Sequence, residues 1–292
     1  MIERIQSLAP FEPFVRQYMQ EAPKPMDEKR LFSKLAKAFG REGERCFAVF
    51  DGEKTAGLFA FDPLEEDYFV TDLWLTRSEA AAREMLTYLQ GEYSGYGIEF
   101  TFSPQNTLLR KLLVEVGATV FPEQRNMERN GPVLPIETTG ITPIVECYEP
   151  AYYALHHDSD PEGENYWTGE MVAADKEGFL VLLAMTDGVP VGFLDLGLGD
   201  EGNNVSDVYV DPVHRRKGWG RKLLAQAIES TGAKKLTLQV DVENDPAIRL
   251  YESMGFQFKQ EDSWMDALWR IDDCSGAACS EKCRFSPVAF YI

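Results

Sequence analysis

Apolar positions along this chain follow two periods, and the order in which those periods alternate occurs twice. After Asp27, the stripe Leu31, Phe32, Leu35, Ala36 and Phe39 has the three-to-four spacing of an amphipathic helix, which Gly40 ends. Two β-rich runs follow, Cys46–Phe50 and Ala56–Phe61, with Asp51-Gly52 between them as a hairpin signal. A third run, Tyr68–Leu75, leads into a helix with Ala82, Met85, Leu86 and Leu89 on one face. Then come a strand at Ile98–Phe102, a helix over Asn106–Val116 stopped by Gly117, and a β-like segment from Ala118 to about Met127.

The second series repeats the first. A helical region near Glu149–Asp175 precedes strands at Leu180–Met185 and Val191–Leu196, again joined through Asp-Gly (Asp187-Gly188). Val205–Val210 then runs toward a helix at Gly220–Thr231 whose apolar face is Leu223, Leu224, Ala227 and Ile228. A strand at Leu236–Val240, a helix at Pro246–Met254 closed by Gly255, and two β runs, Phe256–Gln260 and Trp264–Ile271, complete it. Particular residues recur too: Thr71-Asp-Leu-Trp-Leu75 matches Ser206-Asp-Val-Tyr-Val210, and Asn106 with Gly117 matches Asn244 with Gly255. A spacing of roughly 135 residues is domain-sized, unlike the roughly 20–50 of a solenoid, and signals a duplicated domain. The pattern predicts an α/β protein of two tandem domains, each a mixed sheet flanked by helices. Residues 1–132 form the first and 143–271 the second. A proline-punctuated linker covers 133–142, and 272–292 is a tail.

Composition narrows the function. Hydrophobic content of 44% supports real cores and excludes a disordered chain. A net charge of −19 argues against nucleic acid as a partner, because phosphate backbones need a basic surface. No run reaches the roughly 18 apolar residues of a membrane helix. Glu3 and Glu12 interrupt the N-terminal stretch, so it does not read as a signal peptide, and a cytoplasmic location is expected. Cys46 sits in an apolar run and reads as a buried small hydrophobe. Cys274, Cys279 and Cys283 are off the usual zinc spacing and one ligand short, so no metal is expected.

Against this acidic background the run Val210-Asp-Pro-Val-His-Arg-Arg-Lys-Gly-Trp-Gly220 is out of character. It ends a strand, opens a helix, and gathers Arg215, Arg216, Lys217 and Arg221 around two glycines. A helix start offers unpaired N–H groups and a favourable dipole to an anion, and glycine lets backbone approach closely. Cations there oppose the dipole unless an anion is bound.

Arg215-Arg-Lys-Gly-Trp-Gly220, read as Arg-x-x-Gly-x-Gly between strand and helix, resembles the acetyl-CoA pyrophosphate motif of the GCN5-related N-acetyltransferase (GNAT) superfamily. Asn244, Ala247, Leu250-Tyr251 and Gly255-Phe256 match its second signature. The resemblance implies a mixed sheet splayed in the middle, with the pantetheine arm of acetyl-CoA between the fourth and fifth strands. It implies that backbone groups of Val208 and Val210 pair with the pantetheine amides. Backbone N–H groups from Arg216 through Lys217, Gly218, Trp219 and Gly220 to Arg221 would hold the pyrophosphate, with charge from Arg215 and Arg216. Asn244 would cap the following helix or bond the pantetheine. Tyr251 would protonate the departing CoA sulfur, and Asp207 would take the proton of the amine, with Asp195 and Glu170 as rivals. Asp158, Asp160, Glu162 and Glu164, beside His156-His157, lie where the family has its variable substrate loops.

The first half lacks this equipment. Leu75-Thr-Arg-Ser-Glu-Ala-Ala-Ala82 has neither glycine, and Leu113 falls where Tyr251 does. It resembles a degenerate domain that has lost cofactor binding. The implied activity is acetyl transfer from acetyl-CoA to an amine of a small molecule or peptide, by direct attack in a ternary complex. A non-catalytic acyl-CoA-binding sensor and an acyltransferase similar to mycothiol synthase are the alternatives. The implied assembly is a monomer, internally a pseudo-dimer, or a homodimer.

Overall fold

The computed structural model describes residues 1–21, 28–40, 45–65, 68–161, 167–199, 202–232 and 235–271. They form two compact units, residues 1–121 with 265–271, and residues 122–264.

In the first unit the chain runs β1 (Ile2–Arg4), α1 (Glu12–Gln20), α2 (Glu28–Gly40), β2 (Arg45–Asp51), β3 (Lys54–Glu65), β4 (Tyr68–Leu75), α3 (Glu79–Glu92), β5 (Gly97–Phe102), α4 (Thr107–Glu115) and β6 (Thr119–Val120). The second has β7 (Gln124–Arg129), β8 (Ile141–Pro143), α5 (Glu149–Ser159), α6 (Gly169–Ala174), β9 (Phe179–Thr186), β10 (Val189–Gly197), β11 (Asn203–Val210), α7 (Trp219–Ser230), β12 (Leu236–Asp241), α8 (Asp245–Ser253) and β13 (Gln257–Arg270). Elements β1, α1 and β8 were not foreseen from the pattern, and the two β runs expected after Gly255 are one strand, β13.

The division differs from the one the pattern suggests at both ends of the second half. Residues 122–132 join the second unit, because Met127 of β7 is buried in that core and β7 pairs with β12 over its whole length. Residues 265–271 join the first, where Met265, Ala267, Trp269 and Ile271 pack into the core and β13 pairs with β5.

Strand order in the first unit is β1-β2-β3-β4-β5-β13, and in the second β13-β7-β12-β11-β10-β9-β8. Each sheet has one parallel pair, β4 with β5 and β11 with β12. The other pairings are antiparallel. In the second unit both sheet faces are covered, which explains why β10 is buried almost end to end. Leu182, Leu194, Val208 and Val210 meet Leu223, Leu224, Ala227 and Ile228 of α7 on one face. Val181, Leu183, Phe193 and Tyr209 meet Tyr152 and Leu155 of α5 and Val172 of α6 on the other.

Candidate active site

The parallel pair of the second unit is short. Asn203, Asn204 and Val205 pair with Leu236, Thr237 and Leu238, and beyond them β11 and β12 part. The Asp211 N–H donates to Val191 O at 3.0 Å, which sets the phase of the β10–β11 ladder. In that phase Asp207 and Tyr209 bond to β10, while the N–H and C=O groups of Val208 and Val210 turn toward the gap. A cavity of about 550 Å³ opens there, lined by Val210, Arg215, Arg216, residues 218–221 and, from the region of α8, Pro246, Arg249 and Leu250.

The turn into α7 suits an anion. Its N-cap, Gly218, has φ 86° and no side chain to cap the helix, and Arg216 also takes a left-handed φ of 61°. Left-handed residues in such a turn aim successive N–H groups into one concavity. No acidic residue stands in the first turn of α7. The charged side chains divide their roles. Arg215 Nε donates to Val210 O at 2.8 Å, with the guanidinium 5.6 Å from the Tyr209 ring centre, so this carbonyl is already engaged. Arg221 reaches Ser253 Oγ at 2.8 Å while still lining the cavity. Lys217 Nζ donates to Val213 O at 3.1 Å, and this side chain is not part of the lining.

Asn244 resolves as a cap: its Oδ1 accepts the Ala247 N–H at 3.2 Å. The helix it starts carries Tyr251 into the core, fully buried, 5.9 Å from the Phe256 ring, with no partner for its hydroxyl. Burial, then the Asp207 charge, pushes this phenol up. Tyr251 does not itself line the cavity.

The carboxylates form a cluster under α5. Asp195 of β10 and Asp207 of β11 stand directly opposite each other, so their side chains share one face. They are only 1% and 7% exposed, and Oδ1 of each lacks a hydrogen-bond partner. Asp195 Oδ2 accepts the Tyr152 hydroxyl at 2.9 Å, and His156 Nε2 lies 3.5 Å from the same oxygen. Burial, then the Asp195 charge, pushes Asp207 up to about 7. Asp195 is raised by burial against the lowering effect of His156 and Tyr152.

His156, which the resemblance set among the variable substrate loops, is instead part of the buried cluster. Helix α5 continues through Ser159 and buries His156, while His157 faces out. The signal was available: Tyr152, Leu155, His156 and Ser159 recur at helical spacing. Asp158 and Glu170 are exposed and Asp160 is half-buried at the end of α5. Asp160 acts on the Asp195–Asp207 cluster through charge. Among the described residues no group of His, Cys, Asp and Glu could hold a metal. Cys46 is buried and Cys147 exposed. Glu162, Glu164, Cys274, Cys279 and Cys283 lie outside the described residues, and no described helix is long and apolar enough to cross a membrane.

The first unit has a similar gap and different chemistry. Its parallel pair also stops after three residues, at Val70 and Glu99, and a cavity of about 520 Å³ lies beside Thr71, Trp74, Arg77 and Phe102. Here the helix start is already satisfied. Ser78 Oγ accepts the Ala81 N–H at 3.2 Å, and Glu79 occupies the first turn of α3. Arg77 is paired with Glu21 at 2.9 Å, and Leu113 is buried in the core.

The chain is similar to known acetyltransferases in part of its sequence and in its fold. The family described as Acetyltransferase (GNAT) family matches residues 141–256. Streptothricin acetyltransferase from Streptomyces lavendulae is 36% identical over 111 residues, 36% of this chain and 57% of that protein. An uncharacterised N-acetyltransferase from Methanocaldococcus jannaschii is 28% identical over 141 residues, 44% of this chain and 62% of that protein. The matches therefore span less than two thirds of either relative. A GCN5-related N-acetyltransferase from Sphaerobacter thermophilus shares the fold, with a TM-score of 0.59 at 14% identity over 93% of this chain and 96% of that one. The likeness to the acetyltransferase (GNAT) family thus covers residues 141–256, the greater part of the second unit.

Proposed function

We propose that the protein is an acetyl-CoA-dependent N-acetyltransferase that acts on an amine of a small molecule, with the second unit as its active half. The observation that carries this reading is the uncapped, left-handed start of α7 opening on the cavity where β11 and β12 part. Bound acetyl-CoA supplies the thioester. The N–H groups from Arg216 to Arg221, with the Arg216 and Arg221 guanidinium groups, would hold its diphosphate. The gap-facing backbone groups of Val208 and the Val210 N–H would hold its amide arm.

Tyr251 has the attribute a proton donor to a leaving thiolate needs, an enclosed hydroxyl with no other partner. Asp207, pushed up to about 7, is matched to accept the proton that the acceptor ammonium must lose before attack. The mechanism would be direct attack of the amine on the thioester; of the two described cysteines, neither lines the cavity. A small-molecule acceptor follows the streptothricin acetyltransferase among the relatives.

The test is CoA release across polyamines, aminoglycosides, amino acids and peptide N-termini. With an active amine, Tyr251→Phe should cut kcat on the order of 100-fold while acetyl-CoA affinity holds. Unchanged kcat would remove Tyr251 from the chemistry. Tight acetyl-CoA binding with no CoA release from any amine would replace the enzyme with an acyl-CoA sensor.

A further inference from the structure

The buried groups beneath α5 number more than a proton acceptor requires, and their arrangement is ordered. His156 and Tyr152, one turn apart on α5, both address Asp195 Oδ2, at 3.5 and 2.9 Å. The imidazole stacks on Phe193, with ring centres 5.2 Å apart and an interplanar angle of 16°. Phe193 lies two residues before Asp195 on the same face of β10. Gly169 of α6 packs against the root of the same side chain, so close that an added Cβ would sit 3.1 Å from His156 Cβ. The Phe193 stack and the close approach of Gly169 thus confine the side chain with Nε2 toward the carboxylate. Asp195 in turn stands opposite Asp207.

We propose that His156 is a positioning residue for the deprotonation of the acceptor: as the imidazolium it pairs with Asp195 and fixes the negative charge of that carboxylate opposite Asp207, which makes Asp207 the group that takes the proton from the substrate amine. The inference rests on the role proposed for Asp207.

The electrostatics run the same way. Burial alone lowers His156, but the bond and charge of Asp195, with the charges of Asp207 and Asp160, outweigh it and leave His156 raised. Asp195 raises Asp207 more strongly than His156 lowers it, so the ion pair as a whole strengthens Asp207 as a base. Without His156, the enclosed Asp195 would have no cation and would take up a proton itself, because an unpaired buried carboxylate is too costly to keep ionised. The charge facing Asp207 would then vanish. The other titratable groups on the packed elements include Glu149, Tyr153, His157, Asp158 and Asp160 from α5 and its end, Glu170 from α6, Tyr209 from β11, and Tyr251 from α8. Asp158, Asp160 and Glu170 are more exposed than the cluster, so solvent screens their effect.

The step balances simply. The acceptor ammonium gives one proton to the Asp207 carboxylate and becomes the neutral amine, while the His156–Asp195 pair keeps its charges throughout.

The experiment is the pH profile of kcat/KM for wild type, His156→Phe, Asp195→Asn and the double variant, using the best amine from the panel. The acidic limb should move to lower pH by about one unit in each single variant. The double variant should show no further move, because both substitutions remove one and the same charge. An unmoved limb with a uniform loss of activity, or additive shifts, overturns the proposal and leaves His156 a packing residue. A second arm needs no turnover: the imidazole NMR titration of His156, with His157→Gln and His214→Gln for assignment. It should move to lower pH in Asp195→Asn, and an unmoved titration also overturns the proposal. If wild type releases no CoA from any amine, the functional reading has failed, while the carboxyl NMR titration of Asp207 in His156→Phe still decides this inference by whether it moves down.

Discussion

Asp207 shows how far one residue's position can be read and where the reading ends. Its place on β11 follows from the alternation of Val205–Val210. Its burial does not, because the side chains that enclose it come from α5 and β10, whose approach no local pattern marks. The burial has a thermodynamic signature. Asp207 titrates near 3.8 when unfolded and at about 7 when folded. Between those values the folded chain binds a proton that the unfolded chain does not. The stability linked to this group is therefore fully present below pH 3.8 and is lost as pH rises to about 7. Asp207→Asn should match wild type near pH 4 and exceed it near pH 8 by a few kcal/mol, roughly 4 at most. Urea midpoints at the two pH values measure this. A variant no more stable at pH 8 would mean that the ionised carboxylate is better solvated than its burial implies. Tyr251 teaches a similar lesson: helical spacing marks it as a core residue, but only the fold reveals that its hydroxyl is left without a partner.

Between elements, the most informative comparison is the start of α3 with the start of α7, which occupy the same place in the two repeats. One is capped by Ser78 and carries Glu79, and the other is preceded by Gly218 and left open. That contrast was legible, since cap chemistry is local and written in residue type. The anchoring of α8 was not. Arg129, at the end of β7, donates through Nε to Met254 O at 2.8 Å, through Nη1 to Gly131 O at 3.1 Å, and through Nη2 to Pro132 O. It thereby caps the C-terminal end of the helix that carries Tyr251 and holds the start of the linker. Its acceptors are backbone carbonyls, which every residue has, so sequence could not single them out. Arg129→Met should cost about 3 kcal/mol by chemical denaturation, because it strips a charged donor from the buried Met254 carbonyl and from two partly buried ones. Arg129→Lys should recover little, since an ammonium cannot reproduce the planar fork. Full recovery by lysine would show that charge near the helix end, rather than the three-point geometry, is what matters.

Over the whole molecule, the duplication was legible and the allotment of strands was not. A repeat announces itself through order and recurring residues, whereas the partner of a strand is decided by long-range pairing between runs that look alike. The last strand makes the point. Residues 257–264 of β13 pair with β7 in the second unit, and residues 265–270 pair with β5 in the first. Met265, Trp269 and Ile271 are 4%, 2% and 3% exposed, all within the core of the first unit. Burying three such side chains contributes roughly 5–9 kcal/mol, comparable with the roughly 5–15 kcal/mol that holds a typical domain folded. A chain ended after Trp264 also leaves the β5 edge unpaired and deprives Thr101 of its bond to Asp266, 2.7 Å in the intact protein. Amide hydrogen exchange on that shortened chain should show β2 to β5 losing most of their protection, while β9 to β12 keep theirs, because the second unit retains every strand from β7 to β12 and its share of β13. Retained protection in β2 to β5 would mean that helices α2, α3 and α4 alone suffice to hold the first sheet. Equal loss in β9 to β12 would mean that the two units fold as one cooperative body, so that the closing strand governs the second unit as well.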